Sequence, residues 1–163
     1  MFNHPVVCNT GPLIGLARVG LAELPFDLFP QVYLPKEVED ELTGSDSPDA
    51  AILRQAIVRA AISRVELAPD PFLAAELDSG EAAVIALARH LGITSVILDE
   101  RKGRRIASTV YGMTVKGTAG LLVEAKRRGL IRAVRPHLDG MIAGGYFISP
   151  TVVQACLAEA GED

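Results

Sequence analysis

The chain has 163 residues, of which 49 % are hydrophobic and 22 % are charged, and its formal net charge is −4. This length and mixture are typical of a soluble globular protein, and we expect residues 1–163 to form one domain. The longest apolar runs are shorter than the ~20 residues that a membrane span needs, and the N-terminus has no signal-peptide pattern. We therefore expect a cytoplasmic protein without a membrane partner.

Strands and helices are predicted to alternate along the first half. Thr10 and Pro12 follow the apolar strand "PVVC" and indicate a helix from about Pro12, with Thr10 as its N-cap. Ser47 and Pro48 mark the start of another helix, "DAAILRQAIVRAA", because serine is a favoured N-cap and proline a favoured first helical residue. The segments between them predict a short or kinked helix "LAELPFDLF", a strand "QVYL" and a helix "PKEVEDELT".

The second half continues the alternation. Its clearest strand is "ITSVIL", which is continuously apolar, as buried parallel strands are, and ends before Asp99. The helix "GEAAVIALARHLG" is capped by Asp78 or Ser79 and ends at Gly92, and Thr118 is predicted to cap "AGLLVEAKRRG". The other predicted elements are strands "SRVELAP" and "MTVKG", a brief segment "YFIS", and helices "DPFLAAEL", "RKGRRIASTVYG" and "PTVVQACLAEAG". This alternation predicts an α/β fold with a parallel sheet covered on both faces.

Four oxygen-bearing side chains stand at the ends of these elements: Asn9, Glu41, Glu81 and Asp99. Strand ends and helix starts on one edge of a parallel sheet converge, and carboxylates that meet there repel one another unless a cation lies among them. A few oxygen ligands with retained waters suit Mg²⁺, which can activate a water against a phosphodiester. Each residue also has a structural alternative: a turn for Asn9 and Asp99, the helix dipole for Glu81, and a solvated acidic face for Glu41.

The charges are unevenly distributed. Residues 101–135 carry ten basic residues and one acid, whereas residues 1–100 carry fifteen acids and six bases. A basic segment beside acidic side chains indicates a surface for a polyanion, which its first residues would contact. The alternative is that these side chains only solvate two helices. The predicted nucleic-acid-binding residues are Arg101, Lys102, Arg104 and Arg105.

The segments "VVCNTGPLIGLARVG", "YLPKEVEDEL", "LDSGEAAVIALARHLG", "VILDERKGRRIA" and "VKGTAGLLVEAKRRGLI" occur in the order in which they occur in PIN-domain proteins. The chain most resembles the VapC-like branch, which carries a C-terminal "GYFIS" segment, here an extension over about residues 136–163. The resemblance implies a three-layer α/β/α sandwich with a five-stranded parallel sheet. It further implies an Mg²⁺- or Mn²⁺-dependent ribonuclease toxin, a small cognate antitoxin protein and a homodimer. Glu41, Glu81 and Asp99 match the acidic residues of the family.

The preferred functional hypothesis is an Mg²⁺-dependent endoribonuclease of toxin–antitoxin type that cleaves RNA phosphodiester bonds with a metal-activated water. Its catalytic residues would be Glu41, Glu81 and Asp99, and Asn9 would complete the metal ligands. Asn9 stands where aspartate is the most common family residue, so the alternative is a catalytically weakened PIN-fold module that binds RNA or a protein. A receiver-like or nucleotide-binding domain built on Asp99 ranks lower, because no Gly-rich phosphate loop follows the first strand.

Overall fold

A computed structural model describes residues 1–63, 65–68 and 70–162 of the chain. Its centre is a sheet in which five short strands pair in parallel, in the order β3-β2-β1-β4-β5. The strands are β1 (Val6–Cys8), β2 (Val32–Pro35), β3 (Ala61–Ser63), β4 (Ser95–Ile97) and β5 (Thr114–Lys116). The predicted α/β fold with a parallel sheet is therefore confirmed.

Helices cover both faces of this sheet. They are α1 (Thr10–Arg18), α2 (Leu24–Leu28), α3 (Lys36–Thr43), α4 (Pro48–Ala56), α5 (Pro71–Glu76), α6 (Ser79–Leu91), α7 (Arg101–Thr109), α8 (Thr118–Arg127), α9 (Arg135–Ala143) and α10 (Pro150–Ala160). Crossovers between parallel strands are right-handed, so the reversal of strand order at β1 places α1 to α4 on one face and α6 and α7 on the other. In agreement, α1 contacts α4 and α8, and α6 contacts α7; α3 also contacts α6.

The buried strands form the centre of the core. Every residue of β1 and β4 is buried, as expected for strands covered on both faces. Strand β1 lies between β2 and β4. The connections that follow β1 and β4 therefore cross opposite faces of the sheet, and a crevice opens between the carboxyl ends of these two strands. In open parallel sheets this crevice is where ligands bind.

Several element boundaries differ from the predictions. The strand predicted for "SRVELAP" is instead β3, and residues 65–68 have no regular structure, because this short strand is defined by its pairing with β2. Arg64 and Pro69 of that prediction lie outside the described residues. The helix predicted from Asp49 to Ala61 ends at Ala56 and continues only as a 3₁₀ turn. The "YFIS" segment contains neither a helix nor a strand.

The C-terminal helices are tied to the rest of the chain by Glu162. Its carboxylate accepts hydrogen bonds from Lys126 Nζ and from the backbone N–H groups of Val134 and Arg135 at the start of α9. These bonds lower the pKa of Glu162 to about 2, with the Lys126 bond as the largest cause. Helix α10 packs on α8, and α9 contacts α1. In the part of the chain that the structure describes, no helix is long and apolar enough to cross a bilayer.

Candidate metal-dependent nuclease site

Asp99 is the most extensively hydrogen-bonded acid at the carboxyl edge of the sheet. The backbone N–H of Thr118 donates to Asp99 Oδ1 at 2.7 Å, and the Thr118 hydroxyl donates to Oδ2 at 2.5 Å. The hydroxyl of Tyr146 also donates to Oδ2. Thr118 begins α8 directly after β5, so two neighbouring strand ends supply the acid and its first partner.

Tyr146 reaches this edge from the segment between α9 and α10. Burial and the charge of Asp99 raise the pKa of its phenol, so the hydroxyl remains a hydrogen-bond donor. The Cys8 thiol at the end of β1 is fully buried, and burial, followed by the Asp99 charge, raises its pKa as well. Both groups are therefore protonated neighbours of the Asp99 carboxylate.

Glu81 lies in the first turn of α6 and is only 5 % exposed. Its backbone N–H donates to the capping carboxylate of Asp78 at 2.8 Å, which confirms Asp78 as the cap. The side chain turns toward α7, where a methyl group added at Gly103 would lie 2.5 Å from Glu81 Oε1. Among the described residues, Oε1 is a buried side-chain oxygen without a hydrogen-bond donor. Burial, and then the charge of Asp78, raises the pKa of Glu81 to about 7.

Asn9 lies between the end of β4 and the first turn of α6, whereas Glu41 contacts the start of α1. Asn9 occupies the N-cap position of α1 but makes no side-chain cap bond, and a methyl group added at Gly80 would lie 3.0 Å from Asn9 Oδ1. Its amide therefore lies against the first turn of α6, next to Glu81. Glu41 is exposed on α3 and accepts a 2.7 Å hydrogen bond from the Thr10 hydroxyl. Asn9 thus contacts the first turn of α6, and Thr10 is hydrogen-bonded to the last turn of α3.

The four predicted phosphate-binding residues divide into two groups. Arg104 turns inward, since its Nη1 donates to the carbonyl of Leu98 at 2.8 Å. A methyl group added at Gly117 would lie 2.7 Å from Arg104 Nη1 and 3.0 Å from Asp99 Oδ1, so the guanidinium lies beside the acid. Arg101, Lys102 and Arg105 are exposed, and Lys102 forms a 2.8 Å ion pair with Glu76. Of the four residues, Arg104 therefore lies at the carboxyl edge of the sheet, beside Asp99.

Several other residues of the basic segment are paired with acids. Arg127 and Arg128 both contact Glu124, while Lys126 is paired with Glu162. Lys116 and Arg128 lie over the ring of Phe2, with charge-to-centroid distances of 4.5 and 4.7 Å. This part of the segment stabilises local structure, so the exposed cationic surface near the acids is concentrated on α7.

A family model described as DUF3368, a PIN domain, matches residues 5–162. The chain belongs to the PIN-domain family. No curated protein and no solved structure matches it. PIN domains are typically nucleases and generally use divalent metal ions, so membership supports a hydrolase that acts on nucleic acid. The carboxyl edge of the sheet, where Asp99 lies and where Asn9 meets the first turn of α6, is the corresponding candidate site of this PIN domain.

One buried carboxylate oxygen of this PIN domain suits a hard divalent cation. Within the described ranges, no three Asp, Glu, His or Cys side chains form a group that could hold a metal ion. Mg²⁺ requires less, because proteins bind it through one or two carboxylates and it keeps several waters. The buried Glu81 Oε1 has no hydrogen-bond donor, and leaving a buried acceptor unpaired is costly. A cation at this oxygen would supply the missing partner.

Two threonines that bond predicted site acids have a role other than the one predicted for them. Thr10 and Thr118 were predicted as N-caps, and both predictions are wrong: each is the first helical residue, behind Asn9 and Gly117, and each hydroxyl bonds an acid. The sequence signal for this role was the position of each threonine, shortly after a strand, where side chains reach the carboxyl edge of the sheet. Tyr146 was not predicted in any role, and only its place after the Gly144–Gly145 pair marks it in the sequence.

Proposed function

We propose that this PIN domain is an Mg²⁺- or Mn²⁺-dependent endoribonuclease of toxin–antitoxin type. The observation that carries the proposal is the buried Glu81 oxygen without a hydrogen-bond donor, at the same sheet edge as Asp99. Burying an unpaired carboxylate lowers the stability of the fold. A cation bound at this oxygen would offset that loss. The ligands would be Asn9, Glu41, Glu81 and Asp99.

The chain's own residues would divide the work of RNA cleavage. A bound divalent ion supplies Lewis-acid activation of a water and charge for the leaving oxygen. Asp99 is held rigidly by Thr118 and Tyr146, and it keeps its orientation as substrate enters. Arg104, beside Asp99, would orient the scissile phosphate. Arg101, Lys102 and Arg105 would attract the flanking phosphates, which adds affinity without sequence choice.

The nuclease proposal is tested with two matched variants on one helix. Glu41→Gln removes a charge from the site but keeps an oxygen that accepts the Thr10 hydroxyl, whereas Glu37→Gln removes an equal charge one turn earlier on α3. We expect single-stranded RNA cleavage by the wild type to require Mg²⁺ or Mn²⁺ and to stop with EDTA. Glu41→Gln should lose about tenfold or more in rate, while Glu37→Gln should stay within about twofold.

A second candidate is a PIN-fold binding module with little or no catalysis. Two observations favour it: Asn9 stands where aspartate is usual, and the described acids form no three-residue metal group. The same experiment separates the two candidates. No cleavage in Mg²⁺ with preserved RNA binding would favour the binding module and contradict the nuclease. Equal RNA cleavage in EDTA and Mg²⁺ would contradict the metal-dependent nuclease without supporting the binding module.

A small antitoxin protein, a homodimer and a cytoplasmic location complete the proposal. An apolar groove of about 290 Å³, lined by residues that include Leu67, Leu73, Leu77 and Ala82, supports a protein partner. A small reading frame beside this gene, whose product copurifies with the chain and suppresses cleavage, is the expected result. Light scattering of the purified chain measures its oligomeric state, and a monomeric mass at every concentration would contradict the dimer.

A further inference from the structure

The hydroxyl of Tyr146 lies at the carboxyl edge of the sheet, beside Asp99. Tyr146 itself belongs to the segment between α9 and α10, which contributes no acid to the site. Tyr146 follows α9 and lies 47 residues beyond Asp99, whose Oδ2 accepts its hydrogen bond. The Thr118 hydroxyl donates to the same oxygen at 2.5 Å. Two hydroxyl donors from distant parts of the chain therefore meet at one carboxylate oxygen.

The Asp99 carboxylate keeps one free acceptor site in this arrangement. An ionised carboxylate has about four lone-pair sites, two on each oxygen. Tyr146 and Thr118 occupy both sites of Asp99 Oδ2, and the Thr118 N–H occupies one site of Oδ1. One acceptor site then remains, on Oδ1, the oxygen that lies on the same side as Arg104 and Gly117.

The Tyr146 ring is placed by packing that does not involve Asp99. A methyl group added at Gly15 of α1 would lie 3.0 Å from Tyr146 Cε2 and Cζ, so the ring rests directly on this glycine. The Tyr146 N–H bonds the carbonyl of Met141 at 2.9 Å, and Gly145 takes a φ of +85°, a turn that favours glycine. The hydroxyl is thus aimed at the acid by α1 and α9.

We infer that Tyr146 is a positioning residue of the PIN-domain site, which together with Thr118 orients Asp99 so that one site on Oδ1 is left for the divalent ion. The inference rests on the proposed metal-dependent function and adds Tyr146 to the site. Groups that hydrogen-bond to metal ligands fix ligand orientation, and their loss typically costs about 10–100-fold in metal affinity or activity.

The test is a titration of Mn²⁺ into the metal-free full chain by calorimetry. Tyr146→Phe keeps the ring on Gly15 and removes only the hydroxyl, and we expect the Mn²⁺ dissociation constant to rise about tenfold. The matched control is Tyr111→Phe, which removes one hydroxyl from a tyrosine that packs under Arg89, 4.6 Å from charge to centroid. This control should bind Mn²⁺ as the wild type does.

Kinetics and a second variant separate positioning from a purely structural role. With RNA varied at a fixed Mn²⁺ concentration, Tyr146→Phe should lower kcat and leave KM for RNA unchanged, since the hydroxyl points at the acid. Thr118→Val removes the other hydroxyl but keeps the N–H bond, and it should also weaken Mn²⁺ binding. If Tyr146→Phe fails to fold, the Thr118→Val titration decides alone.

Unchanged or tighter Mn²⁺ binding by folded Tyr146→Phe overturns the inference. The failure of the proposed function has a different signature. If the wild type itself neither binds Mn²⁺ nor cleaves RNA, the proposed function fails and the inference fails with it. If the wild type binds and cleaves while Tyr146→Phe behaves identically, only the inference fails.

Discussion

The Asp99 side and the Glu81 side of the site hold their carboxylates in opposite ways. Asp99 follows β4 and is bonded by Thr118 and Tyr146 through both oxygens. Glu81 lies in the first turn of α6, and its buried Oε1 has no hydrogen-bond donor among the described residues. Hydrogen bonds thus orient one acid, whereas the other is held in place by packing against α7. A cation would stabilise the second far more than the first, because only the second lacks a partner.

The largest effect is expected from the Asp99 side. Both Asp99 oxygens accept hydrogen bonds, so the amide of Asp99→Asn must direct its NH₂ group at one of the donors. We expect at least about a tenfold loss in RNA cleavage, together with a loss of about 1–3 kcal/mol in the free energy of unfolding. Cleavage rates and urea unfolding measure the two effects. Asp139→Asn, at an exposed position of α9, should change neither.

The Glu81 side should respond to pH in the opposite sense to an ordinary paired acid. Its pKa rises from 4.5 to about 7 on folding, so the folded protein retains a proton that the unfolded chain loses. Stability is then fully present below about pH 4.5 and decreases by at most about 3 kcal/mol as pH rises through 7. Glu81→Gln cannot ionise, so its stability relative to wild type should grow by that amount between pH 4 and 8.

Urea unfolding in EDTA measures this difference, and a pH-independent difference would contradict the burial of an unpaired acid. Glu76→Gln is the control of opposite sign. The hydrogen bond from Lys102 lowers the pKa of Glu76, so this pair stabilises the fold above the unfolded pKa of glutamate. Relative to wild type, the Glu76→Gln variant should therefore lose stability as the pH rises, rather than gain it.

Space at Gly103 is what allows Glu81 to lie under α7. Gly103→Ala would place a methyl group 2.5 Å from Glu81 Oε1, and we expect it to displace this acid at a cost of about 1–3 kcal/mol. Gly120→Ala is a helical control with nothing within 4 Å, and it should stabilise the fold by up to about 1 kcal/mol. Thermal melting compares them, and an unchanged melting temperature for Gly103→Ala would contradict the close contact.

Asn9 offers the smallest test, because its exchange by aspartate is nearly isosteric. If Asn9 is a ligand, Asn9→Asp should bind Mg²⁺ about tenfold more tightly, since a full negative charge near a divalent ion adds on the order of 1–2 kcal/mol. Asn9→Ala should bind more weakly than wild type. Calorimetric titration of the three proteins decides the point, and indistinguishable dissociation constants would place Asn9 outside the metal site.

Local sequence signals predicted the parallel α/β fold and the helix ends that depend on neighbouring residues. Ser47 and Asp78 cap their helices as expected, and Gly92 ends α6 in the left-handed conformation. Each of these is a contact within about four residues, which a short pattern determines. The position of Asn9 and Asp99 at one edge has the same local basis, because each follows a strand of the parallel sheet.

Each of the two misassigned threonines has a partner far away in the sequence. The Thr10 hydroxyl bonds Glu41, 31 residues away, and Thr118 bonds Asp99 across 19 residues. A threonine at a strand-to-helix junction has the same local pattern whether it caps the helix or bonds a distant carboxylate. The competing partner exists only once the sheet has assembled, so no local pattern distinguishes these two roles.

By itself, the sequence determined the alternation of strands and helices, the acids that end them and the basic start of α7, because each depends on residue type and spacing along the chain. Tertiary structure alone decided that Tyr146 reaches Asp99 across 47 residues, that Glu81 is buried beneath Gly103 without a donor, and that Arg104 turns inward. These outcomes depend on which surfaces meet when the sheet and its helices pack, and that meeting is a property of the whole fold.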